Sequence, residues 1–369
     1  MAYECLSDEI IKEYDRHRYL LDGSQLTEDI KERYFAILTQ KAGRSAYAKS
    51  LAFLSDCLEK YHHEKTIILI DEYDVPLENA YFKGFYDKMV DFIRSLLESA
   101  LKTNNSLQFA VITGCLRISR ESIFTGLNNL KINSVLDESY SEHFGFMQDE
   151  VDDLLSFYDI NQRRNEVKDW YNGYLLGNTE VYNPWSILNY IEDIVLHNIE
   201  IPKPYWSNTS SNNIVRDLVI KANSNTMQEI ESLLAGDTIE KEIYEDITYD
   251  EIRKSKESFW NFLFFTGYLK AVDRSFRSDI MYITMKIPNR EVCYIYNKTI
   301  KEWLYQKIDS MDFSDLYHAI LTGNTRTMED FLKKQLHENI SFMDSAEKFY
   351  HGFLLGLLGG LRGYKRKSN

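Results

Sequence analysis

Two carboxylates close the run Thr66-Ile67-Ile68-Leu69-Ile70-Asp71-Glu72. In a nucleotide-hydrolysing α/β sheet, a strand ending in Asp-Glu does two jobs: the aspartate holds the water shell of Mg2+, and the glutamate orients the attacking water. Further along, a second apolar run, Phe109-Ala110-Val111-Ile112, ends in Thr113-Gly114. A hydroxyl there could sense a γ-phosphate, and Arg117 and Arg120 could neutralise charge in a phosphoryl-transfer transition state. The plainer alternative stays open: Thr113 caps a strand, both arginines are solvated, and Asp71-Glu72 is a buried strand surfacing into an acidic loop.

Phosphate binding in this class needs GxxxxGK[ST], whose backbone amides and lysine hold the β- and γ-phosphates. The sequence holds no such run, and the nearest glycine, lysine and serine, in Gln40-Lys41-Ala42-Gly43-Arg44-Ser45, stand in the wrong order. Asp71, Glu72, Asp74 and Glu78 could instead form a standalone divalent-metal cluster, although acidic loops are usually solvated. His62-His63 reads as a polar approach to the strand rather than a metal pair, because adjacent side chains in an extended segment point to opposite faces. Cys115 lies beside the candidate edge with no histidine nearby, which does not support a thiol nucleophile.

The elements that must position these residues follow from apolar spacing. Leu6, Ile10, Ile11 and Tyr14, then Ile30, Tyr34 and Leu38, then Tyr47, Leu51, Leu54 and Leu58 predict two or three helices before the first strand. A continuous apolar strand such as Thr66 to Ile70 is expected to be covered on both faces. Phe82, Phe85, Met89, Phe92, Leu96 and Ala100 predict one long amphipathic helix between the two strands. Strand, helix and strand make a βαβ crossover with parallel strands, so Asp71-Glu72 and Thr113-Gly114 fall on the same ligand-binding edge. Beyond Asp149 the pattern is mainly helical, interrupted by the turn-rich stretch from Trp170 to Trp185, and Ile201 to Asn213 reads as a connection between domains. A helical segment to about Ser255 and a strand pair in MYITMKI and VCYIYN, either side of Pro288-Asn289, suggest a winged-helix-like module.

With 44% hydrophobic and 14% aromatic residues in 369, the chain can bury real cores. Its net charge of −14 argues against wholesale wrapping by nucleic acid and leaves room for a local basic groove. The start, MAYECLSDEIIKEYDRHRY, lacks the apolar region of an export signal, and no stretch is apolar enough to span a membrane. Four scattered cysteines form no CxxC pair. A cytoplasmic location with reduced thiols is expected.

Three blocks are specific in wording and order: IDEYDVPLENAYFKGFYDKMVDFIRSLL, FAVITGCLRISRESIFTGLNNLKINSVL and WYNGYLLGNTEVYNPWSILNYI. With them the chain resembles, from end to end, the bacterial AAA-ATPase-like proteins that carry a C-terminal PD-(D/E)xK-type nuclease domain. The resemblance implies an α/β fold: a partial P-loop NTPase (AAA/ASCE-like) core over 1–150, a helical lid over 151–205, a winged-helix-like module over 206–305, and a linker with the first helix of a nuclease-like domain over 306–369. It makes Asp71 and Glu72 the Walker B pair, with Asp71 at the metal, Thr113 the sensor position and Arg117 a charged group close to it. Tyr174, Asn183 and Pro184 then belong to the lid beside the nucleotide. ATP and Mg2+ are the implied cofactors, and nucleic acid is the implied partner of the C-terminal half. The family's P-loop belongs upstream of Met1, and its aspartate and ExK motifs belong after Tyr364, with Glu347 in the preceding helix, Phe342 to Leu361. A truncated or split member, unable alone to bind Mg-ATP tightly or cut nucleic acid, is therefore expected. The rival expectation is a non-enzymatic remnant that associates with itself or with an intact paralogue.

Overall fold

A computed structural model describes residues 2–102, 104–116, 123–124, 127, 130–208, 218, 224–245, 256–309 and 314–339. The chain divides into two compact units, Met1–Ser134 with Ile243–Thr266, and Val135–Glu242 with Gly267–Asn369.

In the first unit, four helices precede the first strand, where spacing predicted two or three: α1 (Ala2–Arg16), α2 (Glu28–Leu38), α3 (Arg44–Ala48) and α4 (Ser50–His62). Lys49 alone separates α3 from α4, so apolar spacing runs through the break. Their shared core is unusually rich in tyrosine, and each ring that goes in brings a hydroxyl that must be satisfied. Tyr14 donates to the Ser50 carbonyl at 2.7 Å, Tyr34 to the Tyr14 carbonyl at 2.7 Å, and Tyr47 to the Ile37 carbonyl at 3.0 Å. These bonds tie the helices together by their backbones as well as by packing.

Strand β1 (Thr66–Ile70) pairs in parallel with β2 (Leu107–Ile112), with Ile67 opposite Phe109 and Ile70 opposite Ile112. The expected crossover is present, but its single helix is two: α5 (Val75–Lys83) and α6 (Tyr86–Leu101). Gly84, at φ 76°, ends α5 in the left-handed conformation a glycine adopts without a Cβ penalty, so apolar residues at matching spacing fall on separate helices. α6 buries Met89, Phe92, Ile93, Leu96, Leu97 and Ala100. Among the described residues, the strands bury side chains on one face and expose them on the other. Ile68 is buried, whereas Ile67, Leu69, Phe109 and Val111 are 62%, 73%, 60% and 42% exposed. The strand's two-residue period sends alternate side chains to opposite sides of this small sheet, and α4 contacts β1 while α6 contacts β2.

The second unit opens with α7 (Gln148–Phe157), α8 (Arg164–Tyr171), the hairpin β3 (Tyr174–Leu176) and β4 (Thr179–Val181), and α9 (Pro184–His197). Val151, Leu155, Val167, Tyr171, Tyr182, Ile187 and Tyr190 form their core. Asn183 caps α9, its side chain accepting from the Trp185 amide at 3.0 Å, and Pro184 takes the first helical position. α10 (Ser224–Ala235) is followed by a strand where helix was expected, β5 (Ile239–Glu242); α11 (Lys256–Phe265), in the first unit, is followed by β6 (Lys270–Arg277), β7 (Ile280–Lys286), α12 (Arg290–Asp309), α13 (Ser314–Thr322) and α14 (Thr325–Asn339). The antiparallel sheet runs in the order β5-β7-β6.

The strand pair expected either side of Pro288-Asn289 does not form. MYITMKI is β7, but its hairpin partner is the preceding β6, and VCYIYN lies within α12. The hairpin turns on Ser278 and Asp279, both at positive φ (50° and 67°), a two-residue turn with no glycine to announce it. Asn289 accepts from the Val292 amide at 3.0 Å and so starts a helix, whose Val292, Ile295, Tyr296 and Ile300 share one buried face. Among the described residues no helix is long and apolar enough to cross a membrane. Arg117, Arg120, Glu347 and the Phe342 to Leu361 stretch lie outside the described residues.

Candidate functional site

Asp71 and Glu72 leave the end of β1 exposed, and Thr113 follows β2 directly beside them. The parallel ladder brings them together: Thr113 N–H donates to the Ile70 carbonyl at 2.9 Å, extending the β1–β2 pairing by one residue. The Thr113 hydroxyl then donates to Asp71 Oδ1 and accepts from the Glu72 amide at 3.2 Å. Thr113 thus touches both residues of the carboxylate pair, one through its side chain and the other through its backbone.

Glu72 has φ 53°, a left-handed conformation that is uncommon for a residue with a Cβ and costs about 1–2 kcal/mol. It is held there by neighbours: its amide by Thr113, its carbonyl by the Val75 amide at 3.2 Å, and the next amide, Tyr73, by the Thr113 carbonyl at 3.0 Å. Strain held in this way is frequent where a side chain must be presented outside a regular strand.

Asp74, expected as a fourth member of an acidic cluster, turns inward and is only 1% exposed. It precedes α5, but its carboxylate does not cap that helix. Instead Oδ1 accepts from the Cys115 amide at 3.2 Å and Oδ2 from the Leu116 amide at 2.9 Å. Burial pushes the Asp74 carboxyl above its ordinary range, and those two amides pull it partly back. Tyr73 completes the grip, its hydroxyl donating to the Leu116 carbonyl at 2.6 Å. Gly114 lies so close to the Tyr73 ring that a Cβ there would stand 2.5 Å from it.

With Asp74 withdrawn, the standalone metal cluster is not formed: no group of three or more His, Cys, Asp or Glu among the described residues is placed to hold a metal ion. What remains is an exposed carboxylate beside a hydroxyl. This is the sparse oxygen set that suits Mg2+, which keeps most of its waters and takes one or two carboxylates along with substrate phosphates. The Asp71 carboxylate and the Thr113 hydroxyl fit such a sparse set, and the stretch nearest in composition to a phosphate loop does not form one. Gln40 to Gly43 lie in the turn between α2 and α3, with Gln40 left-handed, and Arg44 and Ser45 begin α3, where Arg44 donates to the Lys88 carbonyl at 3.0 Å. Nothing there resembles a loop of converging amides.

Two further candidates remain, the histidine pair and Cys115. His62 ends α4 and bonds the Tyr19 hydroxyl at 2.8 Å, while His63 caps the helix at φ 59°, so both belong to a helix terminus rather than a strand approach. Cys115 is an exposed residue, but the protein packed around its sulfur and then the carboxylates of Asp74, Glu72, Glu78 and Asp71 push its thiol up. A thiol so disfavoured as thiolate is a poor nucleophile. Sequence reasoning missed Tyr73 and the inward role of Asp74. The one signal available was that Asp74 stands directly before Val75-Pro76, where a helix begins.

A curated relative from Azotobacter chroococcum mcd 1, described as an uncharacterized protein in the vnfD 5' region, is 30% identical over 177 residues. The match covers 48% of this chain and 33% of the relative, so the chain spans about a third of the length of the curated protein it matches. No solved structure matches. Over residues 10–124, the segment that contains Asp71, Glu72 and Thr113, the chain matches the AAA-ATPase-like family, whose members are described as predicted AAA-ATPases.

Proposed function

We propose that this chain carries the metal and water side of a nucleotide-hydrolysing domain. The observation that carries the reading is the Thr113 hydroxyl on Asp71 and the Glu72 amide, at the carboxyl edge of two parallel strands. In this reading Asp71 holds the water shell of Mg2+, Glu72 orients the attacking water, and Thr113 relates both to the γ-phosphate. Mg2+, when bound, supplies charge neutralisation on the phosphates. Arg117 follows in the chain as the cation for the transition state. The match over residues 10–124 supports nucleotide binding as the class of activity. Because the sequence holds no GxxxxGK[ST], the reading gives this chain no tight grip on Mg-ATP by itself. A nuclease-type domain opening at Phe342 to Leu361, and nucleic acid as its target, rest on the resemblance of the three sequence blocks.

The test is Mn2+ binding followed by electron paramagnetic resonance on the purified chain. Asp71→Asn is expected to weaken it about tenfold or more, since a ligand is lost, and Glu72→Gln to leave it within a factor of two or so. Binding that does not depend on Asp71 would remove the metal reading. ATP turnover by the chain alone, lost in Glu72→Gln, would overturn the statement that it lacks its own grip on phosphate.

A second reading is favoured by the apolar face of Ile67, Leu69, Phe109 and Val111. Parallel strands are normally covered on both faces, and this one invites association with another copy or an intact paralogue. Recovery of a stable hetero-assembly with a full-length relative, in the absence of nucleotide and nucleic acid, would support it.

A further inference from the structure

Resting on the reading of Asp71, Glu72 and Thr113 as the metal and water edge, we propose that Tyr73 and Asp74 are positioning residues: a clasp that fixes the loop after β2 and thereby sets Thr113 against the carboxylate pair. Four bonds link two consecutive residues on one side to the Thr113–Leu116 segment on the other. Tyr73 N–H bonds the Thr113 carbonyl, Tyr73 Oη the Leu116 carbonyl, and Asp74 the Cys115 and Leu116 amides through separate oxygens. Leu116 is therefore held at both its amide and its carbonyl. Between the anchored ends, Gly114 packs against the Tyr73 ring with no room for a side chain. The segment so pinned begins at the hydroxyl that bonds Asp71 and the Glu72 amide.

The chemistry of the clasp demands a carboxylate. Two backbone amides donate to two different oxygens of Asp74, so an amide side chain of the same shape would turn an NH2 group toward one of those donors. Asp74 is too deeply buried for water to replace the lost acceptor. A carboxylate serving only its own helix would sit on the amides of α5, and this one does not.

The experiment compares wild type, Asp74→Asn and Tyr73→Phe, each selectively 15N-labelled at Glu, Cys and Leu, by amide hydrogen exchange, with Mn2+ affinity measured on the same samples. In Asp74→Asn the Cys115 and Leu116 amides should exchange about tenfold faster or more, and the Glu72 amide should lose protection with them although its own partner, Thr113, is unchanged. Mn2+ affinity should fall about tenfold, as it does when outer groups that orient a ligand are removed. Tyr73→Phe keeps the ring against Gly114 and should give the same pattern more weakly, and it decides the matter if Asp74→Asn does not fold. A merely structural aspartate would lower the thermal midpoint and leave the Glu72 amide protected in the folded variant; that result would overturn the clasp. If wild type binds no Mn2+, the metal reading fails, while the exchange at Glu72 still decides whether Tyr73 and Asp74 position it.

Discussion

Replacing Glu72 by glycine and by alanine should reverse the usual order of those two residues. At an ordinary backbone position glycine is less stabilising than alanine by about 0.5–1 kcal/mol, because it loses more conformational freedom on folding. At φ 53° the balance changes sign: any residue with a Cβ carries about 1–2 kcal/mol of left-handed strain, and glycine carries almost none. Glu72→Gly is therefore expected to be more stable than Glu72→Ala by about 1 kcal/mol, which is about 2–4 °C in the melting temperature of a unit this size. Both variants lose the carboxylate equally, so the difference isolates the backbone. The chain has two units, and a signal from the whole molecule would mix them. Cys57 is fully buried in the first unit, with its thiol pushed up to about 12 by burial. Alkylation of the peptide carrying Cys57 across a urea or temperature series reports that unit alone. Alanine equal to or more stable than glycine would mean that Glu72 is not held left-handed, and the argument that Thr113 and Val75 constrain it would fall.

Glu291, fully buried, accepts from the Ser186 hydroxyl at 2.9 and 3.0 Å and from the Trp206 amide at 2.9 Å; burial raises its carboxyl to about 7. A carboxyl raised on folding holds its proton more tightly in the folded state, so stability falls as pH rises from about 4.5 to 7 and is level above that, by about 3 kcal/mol in total. Glu291→Gln should abolish this slope, measured as hydrogen exchange of the peptide carrying Trp206 at pH 5 and pH 8; an unchanged slope would show that Glu291 is not its source. The exposed apolar face should drive self-association, and Leu69→Thr with Val111→Thr should reduce it in light scattering without loss of helical signal. A wild-type chain that is a monodisperse monomer at working concentration would refute this.

The strands of the candidate site were legible because each is a short run of apolar and β-branched residues, and because Asp71-Glu72 and Thr113-Gly114 mark where each run stops. Asp74 was illegible for the same reason. In sequence it is one more acidic residue in an acidic loop, and its partners are backbone amides, which carry no residue type. The VCYIYN segment misled differently: alternating β-branched and aromatic residues suit a strand, yet Val292, Ile295, Tyr296 and Ile300 suit a helix equally, and the Asn289 cap decides between them. Where glycine marks a turn, as at Gly177 between β3 and β4, the hairpin falls within the stretch read as turn-rich; where Ser278-Asp279 does the same work, it was missed.

The position of the strain bears on how the site would work. Glu72 is held left-handed by hydrogen bonds from Thr113 and Val75, and Thr113 is in turn set by Tyr73 and Asp74, the residues immediately after Glu72. Each half of the edge thus fixes the other, and none of these bonds requires a ligand. A preorganised edge of this kind spends no binding free energy on ordering its own groups when metal arrives. The apolar face of the same two strands has the opposite character: its geometry is formed, but four large side chains are left in water. Covering that face should therefore add stability without rearranging the carboxylates. A partner seated on that face would then find Asp71, Glu72 and Thr113 already in place.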